Sequence, residues 1–157
     1  MFTYTKNTFI ALFVLVGLTA CLGEQTQNVT IETADGTQHS FSVNVADDPK
    51  EKEKGLMFVE EMPKDEGMLF VYPEPDRVLF WMKNTLIPLD MLFFDAQNRL
   101  IYIEHNAQPH DETPRGPSNK VCSVLEINGG LAKELGIEIG ATLLTNATEE
   151  CLQSAVQ

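Results

Sequence analysis

The chain has 157 residues, 43% of them hydrophobic, with 11 Lys and Arg against 23 Asp and Glu, a formal net charge of −12. That length is one domain. Such acidity repels nucleic acid and anionic lipid headgroups, so neither is an expected partner, and its plain consequence is solubility.

The first 21 residues, "MFTYTKNTFIALFVLVGLTAC", hold one cation (Lys6), no acid, and an apolar run from Phe9 to Leu18. The run is shorter than the roughly 20 residues a membrane-spanning helix takes. It has the proportions of a secretory h-region. It ends in "LTAC", where Thr19 and Ala20 precede Cys21. This resembles the lipobox of bacterial lipoproteins, in which the signal is cut before the Cys and its sulfur receives a diacylglyceryl group. Leu22, rather than Asp, follows Cys21. By resemblance to Gram-negative sorting rules, that implies the outer membrane of the cell envelope, on its periplasmic side. The expected layout is a signal peptide over 1–20, a lipidated tether over 21–27, a β domain over 28–146 and a tail over 147–157. Acyl chains, not a basic patch, would make the membrane a partner. Removing Lys6 leaves ten Lys and Arg against 23 Asp and Glu, a net charge of −13.

With Cys21 acylated, Cys122 and Cys151 remain. Disulfides persist in exported proteins, so these two are expected to pair, the alternative being two small buried thiols. The chain has no CxxC and no Cys/His zinc spacing.

Val29 and Ile31, then Phe41, Val43 and Val45, alternate with polar residues around Asp35-Gly36. This predicts a β-hairpin. In "DDPKEKEKG", Asp47 or Asp48 caps a short surface helix, Pro49 suits its first turn and Gly55 ends it. "GMLFVY", "RVLFWMK", "LDMLFFD" and "RLIYIEHN" read as four strands, the last two joined by a tight turn at 95–98. A three-proline loop, "PHDETPRGPSNK", leads to the strand "VCSVLEIN". "GGLAKELG" is a short helix stopped by Gly136. "ATLLT" is a last strand, and "NATEECLQSAVQ" a loose or helical tail. About eight short strands and two short helices with no βαβ rhythm predict a mostly β, single-domain sandwich or partly closed barrel.

The pieces "KEKGLMF", "EGMLFVY", "FWMKNTLIPLDMLFFD", "VLEINGG" and "LGIEIGATL" stand in an order and spacing that resembles the DUF192 family, from about Asp47 to Leu144. "ATL" departs from the more usual "GD" after Gly140. The resemblance implies a compact, jelly-roll-like β fold, often secreted or lipid-anchored. It implies no reaction.

The stretch "FWMKNTLIPLD" places Trp81, Lys83, Asn84 and Asp90 inside the most apolar part of the chain. A buried polar group costs several kcal/mol unless it finds a partner. Strand parity puts Val78, Phe80 and Met82 on one face and Arg77, Leu79, Trp81 and Lys83 on the other. It sets Asp90 beside Leu92 and Phe94, and Glu126 beside Cys122 and Val124. Two readings stay open. Trp81, Lys83, Asn84, Asp90 and Glu126 converge on a pocket for a small polar ligand, a saccharide or an amine, with Pro88 turning Asn84 back towards Asp90. Alternatively they form a closed ion-pair network that fixes register.

A glycosidase needs two facing carboxylates, which makes a hydrolase of envelope glycans the alternative to a binding or accessory module. No GxSxG, Ser-His-Asp order or Gly-rich phosphate loop is present. Whether the chain is an enzyme stays open, leaning to no. No metal or cofactor is expected: His105, His110, Asp111 and Glu112 lie in or near a loop without rigid ligand spacing. Met82 and Met91 fall on apolar faces, where Met is a core filler.

Overall fold

The computed structural model describes residues 26–156. The expected signal peptide and Cys21 lie outside them. Seven strands and three short helices follow in chain order: β1 (Thr26–Glu32), β2 (Gln38–Ala46), α1 (Pro49–Lys54), β3 (Glu66–Asp76), β4 (Leu89–Phe94), β5 (Leu100–Ala107), β6 (Val121–Asn128), α2 (Leu131–Glu134), β7 (Thr142–Leu144) and α3 (Glu149–Ser154). Thr26 and Gln27, expected in the tether, are the first residues of β1.

The strands form one sheet in the order β5-β4-β6-β3-β2-β1-β7. The β2–β3 pair is parallel and the others are antiparallel. The sheet curls until its two edges touch. Leu100 N–H donates to Ala141 O at 2.8 Å, and Gly140 N–H to Leu100 O at 2.8 Å. A bridge between Arg99 and Thr142 lies beside them. The architecture is a mostly β half-barrel, as the strand pattern predicts.

Local chemistry accounts for the turns. Thr33 N–H bonds Thr37 O at 2.9 Å across the β1–β2 hairpin, and Gly36 takes φ 83°. Asp48, not Asp47, caps α1: its carboxylate accepts from Lys50 N and Glu51 N at 2.7 and 2.9 Å, while Glu51 reaches back to Asp48 N. This is a capping box with Pro49 in its first turn. The Asp95 carboxylate accepts from Gln97 N and Arg99 N in the β4–β5 turn.

The sheet buries both faces. Ile31, Phe41, Val43, Leu69, Leu92 and Ile127 fill the inside of the curl. Phe70, Met82, Met91, Phe93 and Val124 form a second cluster on the opposite face. Two-sided burial explains why "LDMLFF" is apolar at every position but Asp90; all six of its residues are buried.

The second cluster is covered by residues 77–87, and here the expected strand "RVLFWMK" is corrected. Its parity holds, with Met82 buried and Leu79 and Trp81 exposed. It joins no ladder beyond a two-bond bridge, Phe80 N–H to Arg115 O at 2.7 Å and Arg115 N–H to Phe80 O at 2.8 Å. The segment is a strap across the sheet. Its apolar side drops Phe80 between Phe70 and Phe93, with ring centroids 4.9 and 5.7 Å apart and planes near perpendicular. Arg115 is itself held by Glu104 at 3.1 Å and by Asp111.

The tail is helical. The Cys122–Cys151 disulfide, Cα atoms 5.8 Å apart, fastens α3 to β6. Closing a loop with a sequence separation of 29 stabilises by roughly 3–4 kcal/mol in the chain-entropy model.

Candidate functional site

Residue alternation along β6 sends Leu125 and Ile127 into the curl and Val124 and Glu126 to the strap side. Glu126 lies between Met68 of β3 and Met91 of β4 in the ladders. It is 4% exposed. No donor among the described residues reaches its carboxyl, and burial pushes its pKa up to about 8. At neutral pH it is therefore an uncharged acid with an O–H to donate.

Glu126 faces a cavity of ≈110 Å³ beneath the strap. Phe70 and Tyr72 of β3 and Phe80 and Trp81 of the strap wall it, and Lys52, Glu53, Lys54 and Lys83 stand around it. Burial, then the Glu126 charge, then Asp76, raise the Tyr72 phenol above its ordinary range. Lys52 Nζ lies 5.0 Å from the Tyr72 ring centroid and Lys83 Nζ 5.2 Å from that of Trp81. These are cation–π distances. Lys83 thus lies over the indole face on which a sugar or an amine was expected. At Gly55 (φ 48°), which ends α1, an added Cβ would come 3.3 Å from the Phe70 ring. The glycine lets the chain turn down against the cavity wall.

The structure divides the five expected site residues. Trp81, Lys83 and Glu126 line this cavity. Asn84 lines an adjoining hollow with Trp81, Lys83 and Met57. It takes φ 54° and donates to Met57 Sδ at 3.7 Å. Asp90 is not part of the site. The register opposes Met91, not Asp90, to Glu126, so the two acids lie on opposite faces of the sheet. Asp90 is fully buried, and its oxygens accept from Asn106 N at 2.7 Å, Gly130 N at 2.9 Å and Ala132 N at 2.8 Å. Neither is Lys83 an ion-pair partner of Asp90. Pro88 does not return Asn84 to Asp90; its carbonyl accepts from Gly129 N at 2.9 Å.

Tyr72, Phe70 and Lys52 are wall and rim residues that the sequence reading did not select. The signal for the first two was present: Met68, Phe70 and Tyr72 share parity in "GMLFVY", so one end of that face is polar. A larger hollow of ≈760 Å³ lies beside α2 and β5, among Tyr102, Ile137 and Ile139. It holds none of the expected residues.

A half-barrel with an acid buried under an aromatic strap is the class of protein at hand. The chain belongs to the DUF192 family (uncharacterized ACR, COG1430), whose model matches residues 30–145. No curated protein matches it. Among solved structures it is similar to a candidate transcription regulator from Sinorhizobium meliloti 1021. The two are 40% identical, with a TM-score of 0.76 over 77% of this chain and 94% of that one. It is also similar to a protein of unknown function from Novosphingobium aromaticivorans DSM 12444. That protein is 41% identical, with a TM-score of 0.76 over 82% of this chain and 91% of that one.

Proposed function

We propose that the chain is a lipid-anchored binding module of the bacterial cell envelope that holds a small polar ligand between Trp81 and Glu126. One observation carries the reading: a carboxyl that no group among the described residues satisfies faces an aromatic-walled cavity. Glutamate is almost never buried unless paired. A buried carboxyl with a raised pKa in a hollow marks a candidate functional site. A structural network would need a partner for it.

Binding is favoured over hydrolysis because Asp90, the second carboxylate of the hydrolase reading, lies across the sheet and is bonded to three amides. The net charge of −12 disfavours nucleic acid as a partner of this chain, though the Sinorhizobium protein is described as a candidate transcription regulator.

Trp81 is the chain's only Trp, so its fluorescence reports on the cavity. The full chain, titrated with small amines, small carboxylates and polyols, is expected to give a saturable change with at least one class. Flat titrations with all three would overturn the binding reading.

The anchor has its own test. Intact-mass analysis of detergent-extracted protein is expected to show loss of residues 1–20 and acyl mass on Cys21. A mature chain that starts elsewhere, or carries no acyl chain, refutes the anchor and leaves the pocket to its own experiment.

A further inference from the structure

We infer that the pocket takes a small organic anion, drawn in by Lys52 and Lys83 at its mouth and hydrogen-bonded by the Glu126 carboxyl as donor at its floor. The inference rests on the binding reading above and names its ligand class.

The first support is where the cations are. This acidic chain has ten Lys and Arg after residue 20, and four of them, Lys50, Lys52, Lys54 and Lys83, line this cavity or the hollow beside it. Among the described residues, Glu53 is the one acid at the rim. A local excess of ammonium groups on an otherwise negative surface focuses anions into the cleft.

The second support is the floor. An ionised Glu126 would repel an anion, but burial raises its pKa to about 8. At neutral pH it presents an O–H to an acceptor, and such a bond to a carboxylate oxygen is charge-assisted. The third support is the pair of covered rings. With Lys52 over Tyr72 and Lys83 over Trp81, a second cation meets ammonium groups where it would need bare aromatic faces. Size sets the last limit. The cavity is ≈110 Å³, below the roughly 150 Å³ of a cavity that binds benzene. The ligand part inside has only a few heavy atoms.

The groups facing Glu126 are Tyr72 from β3, Lys52, Glu53 and Lys54 from α1 and its end, and Lys83 from the strap. Tyr72 is held neutral by its raised pKa. No histidine, the side chain that ordinarily titrates near neutral pH, is among the described lining residues, so a pH dependence between pH 6.5 and 9.5 reports Glu126.

The experiment is a Trp81 fluorescence titration of the full chain with propionate, propylammonium and glycerol at about pH 6.5 and pH 9.5. Propionate alone is expected to saturate at the lower pH. Its affinity should fall about tenfold per pH unit above 8 as the floor ionises. Lys83→Met should weaken it roughly fivefold, the size of a partly exposed ion pair. Glu126→Gln keeps a donor without a charge, so it should still bind propionate and lose the pH dependence.

Saturation by propylammonium or glycerol in place of propionate would overturn the anion and leave the binding reading standing. No response to any probe would end both. Propionate binding that is unchanged from pH 6.5 to 9.5, or indifferent to Lys83→Met, would remove Glu126 or the lysine mouth from the recognition and overturn the inference.

Discussion

Glu126→Gln is expected to gain stability relative to the wild-type chain between pH 4 and pH 9, by on the order of 5 kcal/mol. The carboxyl has an ordinary value of 4.5 and stands at about 8 in the folded chain. Between these values the unfolded chain has released its proton and the folded chain has kept it. The folded state therefore binds more protons, and stability falls as pH rises. The contribution is fully present below 4.5 and is lost as pH climbs through 8, at up to about 1.4 kcal/mol per unit. Above 8 the loss is complete and the curve flattens.

Glutamine has no proton to lose and removes that slope. Its own buried amide costs about 1–3 kcal/mol at every pH unless it finds partners, so the signature is the difference between pH values. Urea melts of the wild-type chain and the variant at pH 4, 6.5 and 9 give it directly. Parallel stability curves would mean that Glu126 has a partner in solution, and its reading as the unpaired floor of the pocket would be wrong.

Much of the fold is legible in the residues because its determinants are local. Asp35-Gly36, Asp48-Pro49 with Glu51, and Asp95 to Arg99 each satisfy backbone groups within five residues, so their spacing reveals them. The strap is different. Alternation in "RVLFWMK" reports burial of one side, and a strap lying over a sheet alternates as a ladder strand does. Only the hydrogen-bond partners separate the two, and those lie 35 residues away at Arg115.

The site was half legible for a related reason. Parity along one strand says which residues share a face, but the phase between strands is set by register. Asp90 and Glu126 each look misplaced among apolar neighbours. A one-residue difference in pairing decides whether they meet or turn apart. The ladder pairs Met91 with Glu126, so they turn apart. What looked like one polar set is two: a carboxyl that no described residue satisfies under the strap, and a carboxylate fully bonded inside the curl.

Asp90→Asn is expected to destabilise the chain by about 3 kcal/mol or more while leaving ligand titrations at Trp81 unchanged. Asp90 joins three elements that no ladder connects in this way. Its Oδ1 accepts from Asn106 N at the end of β5 and from Gly130 N, and its Oδ2 from Ala132 N in α2. Gly130 precedes α2 and has no side chain to cap it, so a carboxylate from β4 serves the helix start across the fold. Asparagine retains one acceptor oxygen. Its NH₂ is turned against a backbone N–H, which leaves two donors opposed in a site without water access. Bonds to a charged acceptor contribute about 1.5–3 kcal/mol each, so losing one and setting donors against each other reaches the stated size. Lys83 is exposed on the strap and takes no part in this arrangement. Lys83→Met should therefore be nearly neutral for stability, and the two changes should add within about 0.5 kcal/mol, as unconnected sites do. Denaturant melts of the two single variants and the double decide it. A double variant more stable than Asp90→Asn alone would mean that Lys83 and Asp90 are coupled as an ion pair, and the division of the polar set between two faces of the sheet would fail.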